Sequence, residues 1–168
     1  MLSLLGSAGV LSGAVWACSQ QLARERGHIR QLCALADVLE TMERELHLSA
    51  PPMEVLLQRA CSGSDERVRR VMCSISVASL ENEPFSTQWE SMARDNTLQL
   101  SEAERRVLER PGGVLGRCGL EEQCACLSDT AGALRQFARQ RDAALREERR
   151  LWYTLSLSAA LMAVIMLI

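Results

Sequence analysis

Lysine is absent from this chain of 168 residues: all nineteen positive charges are arginine. That bias fits GC-rich coding rather than a functional demand. Aromatic residues make up only 4% of the sequence and the net charge is −2. No basic patch is interleaved with aromatics, so no nucleic-acid partner is expected. No segment alternates apolar and polar residues for long enough to form a strand. There is no Gly-x-Ser-x-Gly elbow and no His-Glu-x-x-His pair. The glycine-rich "GGVLGRCG" lacks the Lys and Ser or Thr of a phosphate loop, and it follows a helix rather than a strand. The only histidines, His28 and His47, have no clear carboxylate or cysteine cluster beside them and read as surface residues. The chain therefore reads as non-enzymatic, with no cofactor and no metal.

Seven cysteines are present: Cys18, Cys33, Cys61, Cys73, Cys118, Cys124 and Cys126. Their number is odd and their spacing irregular, unlike a secreted disulfide scaffold. They read as free thiols in a reducing compartment, behaving as small hydrophobes. Cys124 and Cys126 are two apart, so on a helix they point to opposite sides and cannot share one ion.

What the chain has in quantity is apolar sequence at its two ends. The last eighteen residues, "LWYTLSLSAALMAVIMLI", carry no charge, proline or glycine. As a helix they reach ~27 Å, just enough for a hydrocarbon core ~30 Å thick. Trp152 and Tyr153 stand at its start, where aromatics prefer the headgroup layer. The first 23 residues are a second candidate span, uncharged until Arg24. Gly6, Gly9, Gly13 and Ala17 form one smooth face, and Gly9 to Gly13 is a GxxxG pair suited to close helix packing. A cleaved signal peptide begins with a basic region, which is missing here, and bulky Trp16 fits a lipoprotein cleavage box poorly. Arg24 and Arg26 follow the first span; Arg149 and Arg150 precede the last. The positive-inside rule then places 24–150 in the cytoplasm and both termini across the membrane. The same arginines are positioned to meet anionic lipid headgroups.

The middle follows helical periodicity. Ile29, Leu32, Ala36, Leu39 and Leu46 form a stripe, with Glu43 on the same face and expected at its rim. Gly27 is expected to act as a hinge between this helix and the first span. Ser49 is expected to cap a short helix that runs to about Ala60, with Pro52 in its first turn. Ser64 or Asp65 caps the next, which turns Val68, Val71, Met72, Ile75 and Ala78 inward. "ENEP" breaks it. Thr87 and Glu90 offer one capping box, and Ser101 and Glu104 a clearer one. "RPGG" at 110–113 is expected to stop the helix that follows. From Leu120 onward one long helix is predicted, with Leu120, Cys124, Leu127, Ala131, Leu134 and Ala138 as its seam. The fold class is all-α: a helical bundle domain flanked by N- and C-terminal transmembrane helices, the last helix continuous into the membrane.

The order of these features resembles the stage III sporulation protein AB family of endospore-forming bacteria. "MLSLLGSAGV" opens the likeness. Ile29 to Leu32, Glu43 to Leu46 and Pro52 match its Ile-Arg-Gln-Leu, Glu-x-Glu and proline positions. Trp89 in "TQWES" stands where the family often has Trp, and Leu115, Gly116 and Gln123 match its Leu-Gly…Gln turn. Gly119 stands where an Asp is usual. The resemblance implies a domain similar to type II secretion F proteins. It further implies a platform in the mother-cell membrane, within a channel complex reaching the forespore. Its implied partners are the sporulation ATPase (stage III protein AA), other stage III A membrane subunits and further copies of itself. Two alternatives stay open: a general secretion or pilus platform, and a membrane-anchored redox or metal protein using the cysteines.

Overall fold

A computed structural model describes the backbone of residues 2–75 and 84–167, with side chains at 20, 22–75 and 84–147. All regular structure among the described residues is helical. The elements are α1 (Leu2–Ser49), α2 (Met53–Cys61), α3 (Glu66–Cys73), α4 (Phe85–Ala93), a 3-10 turn (Asn96–Leu98), α5 (Glu102–Val114) and α6 (Leu120–Leu167). The chain divides into two compact units, 1–27 with 139–168, and 28–138. In the first, Arg141 and Glu25 form an ion pair at 3.4 Å.

The second unit is built on α1 and α6. Of the predicted α1 stripe, Leu32, Ala36, Leu39 and Leu46 are buried and Ile29 is half-buried; Leu35 and Met42, outside that stripe, are buried too. Cys124, Leu127, Ala131, Leu134 and Ala138 of α6 are buried too. Leu120, the first residue of that seam, is instead 42% exposed, because the opening turn projects beyond the packed stretch. The Cys124 thiol lies 4.0 Å from the Glu43 carbonyl. Arg135 donates to Asp37 at 2.8 Å and to Glu40 at 2.9 Å. As α1 numbers fall, their α6 partners rise, so the two helices run antiparallel. Glu43 is half-buried at the rim.

Several boundaries differ from their sequence signals. α1 runs unbroken through Gly27. One interior glycine costs a helix only ~0.5–1 kcal/mol, and Gly27 is also where the first compact unit ends along this helix. Ser49 caps nothing: it is the last residue of α1, and Ala50 turns left-handed at φ 39°. Pro52 then stands just before α2, which has no side-chain cap. Asp65 does cap α3, accepting from the Arg67 N–H at 3.0 Å. That helix ends at Cys73, before buried Ile75. Ala78 and most of "ENEP" lie outside the described residues. α4 starts earlier than the Thr87–Glu90 box implied, with Pro84 before it and Thr87 inside. Proline's fixed φ and missing N–H suit a helix start.

The largest departure is at "RPGG", which does not stop α5. The helix continues through buried Pro111 and Gly112 to Val114. Proline inside a helix removes one bond of the ladder and crowds the preceding turn. Trp89 supports that turn: its fully buried indole donates to the Leu108 carbonyl at 2.7 Å. Gly112 lies directly against the ring, where an added Cβ would stand 2.8 Å from Trp89 Cδ1 and 3.0 Å from its Cβ. The contact tolerates no side chain. Gly112→Ala is therefore expected to destabilise the protein by ~1–3 kcal/mol through overpacking, seen in urea melts as a lower midpoint with unchanged slope.

Candidate functional site

Ser101 and Glu104 make the expected capping box. The Ser101 hydroxyl accepts from the Glu104 N–H at 3.4 Å, and the Glu104 carboxylate accepts from the Ser101 N–H at 2.7 Å. The Glu104 side chain is fully buried, which a charge tolerates only with strong donors. A further donor is His28, whose Nε2 lies 3.2 and 3.1 Å from the two carboxylate oxygens. An ionised carboxylate only accepts, so Nε2 carries the proton. His28 is thus not the surface residue its neighbours in sequence suggested; its partner lies 76 residues away. Exposed His47 is as expected. Burial pushes the Glu104 carboxyl up, but the Ser101 backbone N–H, the Ser101 side chain and His28 outweigh it and hold it below the usual range.

The residues matched to the family take up defined places. Leu32 is buried and Ile29 packs beside the core. Buried Gln31, between them, donates to the Leu98 carbonyl at 2.6 Å and anchors the 3-10 turn to α1. Leu115, Gly116 and Gln123 act as one device. Leu115 is buried, Gly116 takes φ 74° at little steric cost, and Gln123 closes the loop. Its Oε1 accepts from the Gly116 N–H at 3.2 Å and its Nε2 donates to the Cys118 carbonyl at 2.7 Å. Gly119 directly precedes α6. An Asp there would have room for its Cβ and an oxygen for the first free N–H groups, whereas Gly offers none.

Three of these segments converge on a shallow groove of about 240 Å³. Met53 comes from the start of α2, Pro84 and Phe85 from the start of α4, and Gly112 and Leu115 from the end of α5. The Phe85 ring rests on Trp89, centroids 5.6 Å apart. Arg117 is the only charged residue lining the groove among the described residues. Nothing in the spacing of these residues along the chain announces that they meet.

The stage III sporulation protein AB family model matches residues 3–168. The chain belongs to the stage III sporulation protein AB family. No curated protein and no solved structure matches it. Because the family match spans nearly the whole chain, it covers the bundle, the groove and both apolar ends.

The remaining candidate residues of this family member fall into two groups. Among the described residues no helix is long and apolar enough to cross a membrane. The expected spans lie within α1 and α6, but the side chains of Gly6, Gly9, Gly13, Ala17, Arg149, Arg150, Trp152 and Tyr153 are not among those described. Arg24 and Arg26 are described and exposed. As for the thiols, all six described cysteines are free, and no metal-binding cluster is found among the described residues. Burial, with the neighbouring Cys73 thiol, pushes Cys61 up to about 12. Burial also raises Cys118, Cys124 and Cys126. A thiol held protonated is a poor nucleophile and a poor ligand.

Two measurements check this framework. Glu104 has a depressed folded pKa, so its contribution to stability is complete above the ordinary carboxylate range and is lost as pH falls through that depressed value. Unfolding free energies of wild type and Glu104→Gln from urea melts should differ by ~1–3 kcal/mol at neutral pH and converge on acidification. Separately, Gln123→Ala should strip protection from the Gly116 amide in hydrogen exchange while costing ~0.5–1.5 kcal/mol for each hydrogen bond lost.

Proposed function

We propose that this protein is a non-enzymatic platform of the sporulation channel complex between mother cell and forespore. The observation that carries this reading is the family match over residues 3–168. Type II secretion F proteins, which the family resembles, supply the analogy for a helical platform domain. The apolar runs at 1–23 and 151–168 serve as membrane spans, with the arginine-flanked stretch 24–150 on the mother-cell cytoplasmic side and both termini on the far side.

In this role the protein docks the sporulation ATPase, stage III protein AA, and packs with other stage III A membrane subunits and with copies of itself. The small-residue face at Gly6, Gly9, Gly13 and Ala17 suits close packing of spans. A scaffold needs shape and rigidity rather than reactive groups. Supporting that, α1 and α6 are each single helices of 48 residues, and the described thiols whose acidity is shifted are all held protonated rather than poised to react.

Affinity purification of the tagged chain from membranes of sporulating cells should recover the ATPase and further channel subunits. Deleting the gene should stall development after engulfment. Equal abundance in growing cells, with pilus or secretion components recovered instead, would place the protein in a general secretion system. Double replacement of Cys124 and Cys126 by Ser should leave that function intact.

A further inference from the structure

We propose that the groove between the starts of α2 and α4 and the end of α5 binds a short segment of a partner protein, one carrying a large apolar side chain next to a carboxylate. The inference rests on the platform reading only in supposing that a protein partner exists.

The geometry selects the occupant. Small-molecule sites usually enclose ~300–1,000 Å³. At about 240 Å³ the groove is smaller than that and open to one side. It has room for an apolar side chain with its backbone left in solvent. Met53 and Phe85 are half-buried in the wall and Leu115 is buried beneath. Gly112 lines the groove and carries no side chain, since an added Cβ would meet Trp89. The remaining lining is Pro84, Ser86 and Gly116, so the walls carry no charge.

Arg117 supplies the electrostatic half. It is exposed, lines the groove, and makes no ion pair among the described residues, although many of the described arginines make one. An unpaired guanidinium beside an uncharged apolar slot favours an acidic residue and disfavours a basic one. The loop that presents it is held rigid by Gln123 and by the left-handed Gly116. Little ordering remains to be done on binding.

The test is peptide display against the full-length chain in mild detergent, followed by affinity measurements with fluorescein-labelled copies of the enriched peptides. Enriched sequences should pair Leu, Phe or Met with Asp or Glu within a few positions. Ser86→Trp, which fills the groove, should weaken their binding at least about tenfold. Arg117→Glu should do the same and, in a fresh selection, turn the preference from acidic to basic residues. Arg117 is exposed, so that variant is informative even if Ser86→Trp folds poorly; melting curves and circular dichroism matching wild type establish its fold. No enrichment, enriched peptides without a carboxylate, or binding indifferent to Arg117→Glu would each overturn the proposal. The platform reading is judged separately by the ATPase co-purification. An empty display result with the ATPase still recovered removes the groove alone. Peptide binding without ATPase recovery removes the platform reading and keeps the groove.

Discussion

The carboxylate of Glu104 is the constraint around which the unit 28–138 is arranged. A fully buried charge is costly to leave unsatisfied, more so than any single apolar contact in this core. Among its donors are the Ser101 N–H, within the capping box, and His28, which reaches in from α1. These bonds fix where α5 begins relative to α1. Gln31, one turn further along α1, holds the preceding 3-10 turn by the Leu98 carbonyl. The segment 96–104 is thereby tied to α1 at both of its ends.

Once α5 is placed, its far end is governed by Trp89. The indole takes the Leu108 carbonyl below Pro111, and the ring occupies the space that Gly112 leaves bare. Proline and glycine, which weaken isolated helices, here stand inside one whose turn at Leu108 and Gly112 is packed against Trp89. The same end of α5 brings Gly112 and Leu115 to the groove, with Gly116 beside them. The candidate docking surface is thus a consequence of the packing that holds α4 on α5.

Electrostatics in this bundle separate into two kinds. Surface pairs such as Arg59–Glu45 and Arg94–Glu109 join neighbouring helices in solvent, where each is worth ~1 kcal/mol or less. The fork from Arg135 to Asp37 and Glu40 has better geometry, since one guanidinium spans two carboxylates on α1. Arg135, six residues before Arg141, therefore serves the α1–α6 seam. Arg117 makes no ion pair among the described residues and stands beside an apolar slot.

Local signals determined the helical class, the long last helix, most of the α1 stripe and most of the α6 seam, because a 3.6-residue period is written in consecutive residues; the continuity of α1 through Gly27 was not legible. The Ser101–Glu104 box and the Asp65 cap were legible for the same reason: donor and acceptor lie within one turn. Family membership was legible too, through the order of modest motifs from Ile29 to Gln123. Tertiary structure alone packed Trp89 against the Leu108–Gly112 turn of α5, since Trp89 lies 19 residues away from Leu108. It alone turned His28 from a surface residue into the partner of Glu104, and gathered Met53, Phe85, Leu115 and Arg117 into one groove. Each of those outcomes depends on contacts between residues far apart in the chain, whose energies no local pattern encodes.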